Sequence, residues 1–271
     1  MPTVLTIAGF DPSSGAGITA DLMVFAAHGL FGTSAITALT VQSTLGVRST
    51  HPVAPEILRS TLEYLTADLP PAGIKIGMLA TAANVAAVCD YLETIRARYT
   101  HIPIVLDPIF LSSSGRELLD PEGVTTLRDR LLPLVDWVTP NLSELAVLTA
   151  IQVQTREDLP RAARQLHGLS TSKTLGILAT GGHLTPPDDF LVTPTGEETW
   201  FPGEHIETRA THGTGCALSS AFLSRLVLGD SALEAARSAK RYVATALQTA
   251  IERGSGASAM NHLWPFHNQK L

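Results

Sequence analysis

One pattern constrains this chain more than any other. Short apolar runs that end in glycine, in Asp-Pro or in Thr-Pro-Asn alternate with longer stretches of helical spacing or of small residues. Apolar positions recurring every three or four residues, as at Ile57, Leu58, Leu62 and Leu65, predict an amphipathic helix. The alternation predicts strands over 4–8, 34–41, 73–77, 102–106, 137–139 and 174–179. It predicts helices over 18–28, 55–67, 82–99, 121–132, 141–149, 156–167, 213–228 and 232–253. A hairpin is expected from 190–192 and 199–201, with Thr195-Gly196 in its turn. Strand and helix in alternation mean an α/β fold, with a mostly parallel central sheet and helices on both faces. Ligands of such sheets sit beyond the carboxyl ends of the strands. With no repeat and no linker, 1–271 is expected to form one domain, with 254–271 either folding over a site or fraying.

Composition narrows the function classes. Of 271 residues 45% are hydrophobic, enough for a sizeable core, and the formal net charge of −6 comes without a basic run. No nucleic acid and no anionic membrane is therefore expected as a partner. The two cysteines, Cys89 and Cys216, form neither a disulfide framework nor a metal-ligand spacing. No leader and no membrane span is read at the amino end or elsewhere, so a soluble cytoplasmic protein is expected.

The segment Thr211-His212-Gly213-Thr214-Gly215-Cys216 carries the chemistry most directly. A glycine turn that runs into a helix aims free N–H groups at one point, and the helix dipole adds partial positive charge there. That suits anionic oxygens, above all a phosphate. In the first helical turn Cys216 is expected to be shifted toward thiolate. The same residues also read as a helix start with a buried cysteine, and His212 with Cys216 invites a hydrolase reading for which no orienting third residue can be named.

Other clusters fall at strand ends. The stretch from Gly9 to Gly17 follows the first strand but is neither a Walker loop nor G-x-G-x-x-G. Asp21, one turn into the next helix, could accept from an amino group or simply favour the helix dipole. Gln42 closes a strand with an amide, which donates and accepts at once. Met78 is at the end of Lys75-Ile76-Gly77, where packing and ligand contact are both open. Asp107, with Asn141 and Glu144, could give oxygen ligands to Mg²⁺. Asn141 and Glu144 also read as a capping box.

Taken together, these residues resemble the ribokinase-like superfamily, and most closely the hydroxymethylpyrimidine/phosphomethylpyrimidine kinases of thiamin biosynthesis. The resemblance rests on seven collinear pieces spanning roughly 3–250: Ala8 to Gly17 with Asp21; Thr37-Ala38-Leu39 leading to Gln42; Lys75 to Leu79; Val105 to Pro108; Thr139 to Glu144; Gly181-Gly182-His183; and Thr211 to Cys216. It implies an ATP- and Mg²⁺-dependent kinase, commonly a homodimer, acting on the pyrimidine alcohol and its monophosphate. It places Gly9, Asp21, Gln42 and Met78 at the pyrimidine. Gly213, Thr214, Gly215 and Cys216 would form the anion hole, with Cys216 as base. Asp107 and Glu144, helped by Asn141, would organise the metal. Asn141, Gly182 and Lys240 would lie at the nucleotide. One departure stands out: Thr180 occupies the position where the family usually has the lysine of Lys-Gly-Gly-His, and Lys240 is the cation that could compensate. The rival readings are a pyridoxal/pyridoxine kinase and a vitamin-binding regulatory protein without turnover.

Overall fold

The computed structural model describes residues 1–112, 115–169, 175–182 and 184–266, and its centre is a nine-stranded sheet. The elements follow in chain order: β1 (Thr3–Phe10), α1 (Gly17–Ala27), β2 (Phe31–Ser43), β3 (Gly46–Pro52), α2 (Pro55–Asp68), β4 (Gly73–Ile76), α3 (Ala82–Arg98), β5 (Ile104–Leu106), α4 (Pro121–Thr126), β6 (Trp137–Val138), α5 (Leu142–Thr149), α6 (Asp158–Leu169), β7 (Gly176–Ala179), β8 (Asp189–Val192), β9 (Glu198–Phe201), α7 (Thr214–Val227) and α8 (Ala232–Gln248). Across the sheet the order is β3-β2-β1-β4-β5-β6-β7-β8-β9. Strands β2, β1, β4, β5, β6 and β7 run parallel; β3 at one edge and β8 near the other run against them, and β9 pairs antiparallel with β8. The order reverses between β1 and β4, and that is where a doubly wound sheet opens a crevice for ligands.

The strand residues divide between the two faces as the pleat requires. Leu5, Ile7, Ile74, Ile76, Leu106 and Val138 face a core with α2 to α6. Val4, Val105, Trp137 and Leu178 face a second core with α1, α7 and α8. In that second layer α7 is buried almost throughout from Cys216 to Ser224, and Phe222 meets Trp137 edge-to-face at 5.1 Å. Local signals start several helices where expected: Thr81, Asp120, Asn141 and Ser231 each accept a backbone N–H at a helix N-cap.

Three expectations need revision. Strand β3 has no counterpart among the predicted strands, because Gly46–Pro52 is a half-exposed edge with one aliphatic residue before its proline and no apolar alternation. Helix α8 ends at Gln248, not near 253, and the chain then folds back, with Asn261 N–H donating to the Ala246 carbonyl. Over the expected 121–132 helix, α4 ends at Thr126 and continues as a π-turn, Leu127–Leu131, and a 3₁₀ turn, Leu132–Leu134, that contains Pro133. Position 174 of the expected strand 174–179 lies outside the described residues.

Candidate active site

The carboxyl ends of the parallel strands and the amino end of α7 meet around one region. Gly213 is the N-cap of α7, at φ +81°, and a Cβ there would lie 1.8 Å from the Gly15 carbonyl oxygen. Only glycine allows both that conformation and that approach. Gly213 offers no side chain to the first N–H groups of α7, so these stay free for anionic oxygens. Thr214 opens the helix, and Gly215 faces Asp107: a Cβ at Gly215 would stand 3.9 Å from both carboxylate oxygens. Gly9 and Met78 also meet, since a Cβ on Gly9 would lie 2.9 Å from Met78 Sδ. Met78 is buried with Ala38, Ala80 and Leu118 in a small apolar patch beside the β1/β4 crevice.

Burial corrects the expectation for Cys216. Its sulfur is enclosed, and burial, together with the Asp107 and Asp21 charges, pushes the thiol up to about 12 despite Lys75 and the Gly17 amide. Desolvation outweighs the helix start here, so the ligand-free thiol is neutral. Cys216 lies beside Asp107, which accepts from Ser219 Oγ at 3.3 Å. Burial raises Asp107 to about 6, with Lys75 pulling it down and Asp21 pushing it up. Burial and then the Asp107 charge likewise raise Glu144 well above the usual carboxylate range. His212 does not pair with Cys216 as a hydrolase would need: among the described residues its Nε2 bonds Asp11 Oδ2 at 2.7 Å.

Asp21 does not stand in a binding pocket. It is fully buried and accepts from Thr6 Oγ1 at 2.6 Å, Ser220 Oγ at 2.7 Å and Lys75 Nζ at 3.0 Å to each oxygen. A carboxylate has about four acceptor sites, and all are taken. The expected contact from Asp21 to a substrate amino group does not fit; the residue ties α1 to β1, β4 and α7. Lys75, given no role from sequence, is its partner and is also fully buried. Burial alone would lower Lys75, but the Asp21 and Asp107 charges and the hydrogen bond to Asp21 outweigh it and hold the ammonium protonated. The available signal was a lysine inside a four-residue central strand.

At the other end of the site, Asn141 and Glu144 form the capping box: Glu144 N donates to Asn141 Oδ1 at 2.9 Å, and Asn141 N to Glu144 Oε2 at 2.8 Å. Asn141 pairs through a parallel bridge with Thr180, next to the Gly181-Gly182 turn. Gly182 is open on the surface side, with no atom within 4 Å of where a Cβ would be. Lys240 reaches this turn but is not a free cation. Its Nζ donates to Asp189 Oδ2 at 2.7 Å and to the Pro187 carbonyl at 3.0 Å, and Asp189 Oδ1 in turn accepts Gly181 N at 3.0 Å. The expectation that Lys240 makes good the charge missing at Thr180 is corrected to that extent. His183 lies outside the described residues.

Gln42 belongs to a network that bridges the two glycine loops. Its amide is 3.0 Å from His212 Nε2 and 3.1 Å from Thr40 Oγ1. Asp11 accepts from Ser13 N and Oγ, Gly15 N and Ala16 N as well as from His212. Those hydrogen bonds and the His212 charge hold it below the usual carboxylate range, against the opposing and largest effect, burial. Over its described residues, 254–266, the carboxyl-terminal segment backs this network: Ala259 bridges His212, and His262 Nε2 lies 3.3 Å from the Gly15 carbonyl. Neither Asp11 nor His212 received a binding role from sequence, though both lie in quoted motifs.

Comparison with known proteins shows the family. The family model for phosphomethylpyrimidine kinase matches residues 11–261. The hydroxymethylpyrimidine/phosphomethylpyrimidine kinase of Synechococcus elongatus is 37% identical over 273 residues, covering 98% of each chain. Among solved structures, phosphomethylpyrimidine kinase of Clostridium difficile superposes with a TM-score of 0.77 at 35% identity, covering 91% of this chain and 99% of that one. The pyridoxal kinase of Staphylococcus aureus in complex with AMP-PCP and pyridoxal gives a TM-score of 0.86 at 25% identity, covering 99% and 96%. With a family model spanning nearly the whole site and a full-length relative of this identity, the chain belongs to the phosphomethylpyrimidine kinase family.

Proposed function

We propose that this chain transfers the γ-phosphoryl group of ATP to 4-amino-5-hydroxymethyl-2-methylpyrimidine and then to its monophosphate, as a step of thiamin biosynthesis. The observation that carries the reading is the uncapped amino end of α7 set against the Asp107 carboxylate, with Gly9, Met78 and Gln42 at the adjoining crevice. Phosphoryl transfer asks chiefly for positioning and charge neutralisation, plus a group to receive the hydroxyl proton. The pyrimidine ring packs on Met78 and Gly9, and its amino and ring-nitrogen edge meets Gln42. Transferred oxygens bind the N–H groups of Gly213, Thr214, Gly215 and Cys216. The nucleotide lies along Asn141, Thr180 and Gly182; that a similar pyridoxal kinase was solved in complex with an ATP analogue supports ATP as the phosphoryl donor.

Asp107 and Glu144 fit a divalent cation by their chemistry: burial raises the proton affinity of both carboxyls, the Asp107 charge raises that of Glu144 further, and a cation beside them would relieve both. Mg²⁺ at these two residues would neutralise phosphate charge. Cys216 takes the hydroxyl proton, passing its own to the neighbouring Asp107 carboxylate. This relay replaces the pre-formed thiolate expected from sequence. The reading includes one folding unit, in keeping with the single sheet, and a homodimer in the cytoplasm. Ile57 and Tyr64, 60% and 85% exposed on α2, support a partner surface.

The test is ADP release from ATP and Mg²⁺ with hydroxymethylpyrimidine, its monophosphate and pyridoxal in parallel. Turnover of both pyrimidines is expected. Turnover of pyridoxal alone would move the chain to the vitamin B6 activity, and ligand binding without ADP from any of the three would leave a binding protein.

A further inference from the structure

The Gln42 amide has two ends of equal shape, and the protons around it decide which is oxygen. The Asp11 carboxylate only accepts, and it lies 2.7 Å from His212 Nε2. Its other hydrogen bonds, to Ser13 N and Oγ, Gly15 N and Ala16 N, keep it ionised. His212 Nε2 must therefore carry a proton, whether the ring holds one proton or two. The same nitrogen is 3.0 Å from Gln42 Nε2 as the amide is placed, with Oε1 at Thr40, and the protons require this amide to be turned by 180°. An NH₂ at that end would face an N–H and find no lone pair, whereas a carbonyl oxygen there accepts a share of it. The opposite end is then the NH₂, directed at Thr40 Oγ1, 3.1 Å away. Thr40 has one proton, and the Phe10 carbonyl, 3.0 Å away, takes it. Every donor in the chain from Asp11 to Phe10 now meets an acceptor; with the amide reversed, two donors collide at His212 and two acceptors compete for one hydroxyl proton.

The ring itself cannot drift. His212 packs on Gly15, where a Cβ would lie 2.1 Å from its Cδ2, and its backbone is bridged to Ala259, with His212 N–H donating to the Ser258 carbonyl at 3.1 Å. We infer that His212, held by Asp11, is a specificity-determining positioning residue: its Nε2–H fixes the orientation of the Gln42 amide and so fixes the donor–acceptor pattern offered to a heteroaromatic substrate. This rests on the reading above, in which Gln42 meets the aminopyrimidine. One N–H and one lone pair of Gln42 remain for the ligand, at fixed places. A 4-aminopyrimidine offers a donor beside a ring acceptor. The 4-oxo analogue offers an acceptor beside a ring N–H, the reverse pattern, and a site with locked partners rejects it because buried polar groups are left unpaired.

The experiment has two arms. In the first, kcat/KM for the 4-amino and 4-oxo pyrimidine alcohols is compared in wild type, His212→Phe and Thr40→Val. His212→Phe keeps a ring on Gly15 but removes the N–H. Its ratio of 4-amino to 4-oxo turnover should fall about tenfold, mainly through KM for the pyrimidine, with KM for ATP unchanged. Thr40→Val, which leaves His212 intact, should lower the ratio by a smaller factor. A ratio unchanged in both variants overturns the inference, including the case in which kcat falls for both substrates alike. The second arm is a long-range ¹H–¹⁵N spectrum of the wild-type chain without ligand. A protonated His212 Nε2 is expected, and a bare Nε2 with the proton on Nδ1 overturns the assignment. If wild type phosphorylates neither pyrimidine, the kinase reading has failed, and this second arm alone decides whether the Asp11–His212–Gln42 network is as described.

Discussion

Two lysine–aspartate pairs lie near the catalytic edge of the sheet, and they do opposite things. Lys75 and Asp21 are both fully buried, and each carboxylate oxygen is 3.0 Å from the ammonium. Lys240 and Asp189 are 2.7 Å apart with side chains 20% and 9% exposed. The first pair is closed on every side by Thr6, Ser220 and backbone, so its charges serve only the scaffold and the field at Cys216 and Asp107. The second borders the open Gly181-Gly182 turn, where water and a ligand's phosphates can compete for the ammonium. A lysine near a phosphate site therefore acquires its meaning from what its partner leaves free. The sharpest way to break this contrast is to remove one charge from each pair and compare the damage.

The largest effect is expected from Lys75→Met. It leaves the Asp21 charge buried without its cation, a type of change that costs about 3–5 kcal/mol. For a chain of this size that amounts to a loss of roughly 10 °C in the melting midpoint. Adding Asp21→Asn to the same variant should recover more than half of the loss, because the uncompensated charge is gone while Thr6 keeps an acceptor. A single variant as stable as wild type in a thermal melt would mean that the pair contributes nothing net.

Next in size is the pair's influence on its neighbours, read at Asp107. Ionised Asp107 is required to accept the Cys216 proton, so kcat/KM should fall below about pH 6, the value to which burial raises this carboxyl. Asp107→Asn should remove that limb and lower kcat about 100-fold or more. Stability runs the other way. A carboxyl whose folded pKa lies above its unfolded value binds more protons when folded, so its contribution declines as pH rises from about 4 to about 6 and stays at its lowest above that. The melting midpoint of the ligand-free Asp107→Asn variant should exceed wild type at pH 8 and match it at pH 4. Added Mg²⁺ should raise the wild-type midpoint more at pH 8 than at pH 5. A variant that melts below wild type at pH 8 would remove the strained carboxylate from the account.

How much of this was legible beforehand follows from how far apart the partners lie. The β1, β4, β5 and β7 strands, the glycine turn before α7 and the Asn141–Glu144 cap are local features, and local spacing revealed them. The polar edge strand β3 was not legible, because its pairing with β2 is set by register and not by hydrophobicity. The state of Cys216 was misread for a related reason. The helix start is visible in Gly213-Thr214-Gly215, but the burial and the two carboxylates that keep the thiol neutral come from β4, β5 and α1. Asp21 meets Lys75 across 54 positions and Asp11 meets His212 across 201, distances over which a single sequence carries no pairing signal.

Turning to the second pair, Thr180→Lys restores a cation beside Asn141 and the Gly181-Gly182 turn, and KM for ATP should fall about fivefold, since a hydrogen bond to a charged group contributes about 1.5–3 kcal/mol before side-chain ordering is subtracted. No change in KM for ATP would place the phosphates elsewhere.

The smallest effect is expected from Asp189→Asn, and it separates the two pairs most cleanly. The amide keeps an oxygen for Gly181 N–H, so the turn retains its hydrogen bond, while Lys240 loses its counter-charge and holds only the Pro187 carbonyl. Burial already raises the Asp189 carboxyl, so losing its charge also removes a desolvation penalty, and stability should change by less than about 1 kcal/mol. The freed ammonium should lower KM for ATP by about twofold at low salt, and the gain should vanish as the Debye length shortens to about 3 Å near 1 M salt. Initial rates against ATP concentration at two ionic strengths measure this directly. If KM is unmoved at low salt, Lys240 is a scaffold lysine like Lys75 and the contrast between the pairs collapses. If KM falls while the melting midpoint holds, the same residue type, paired with the same partner type, anchors the fold at one end of the site and binds phosphate at the other.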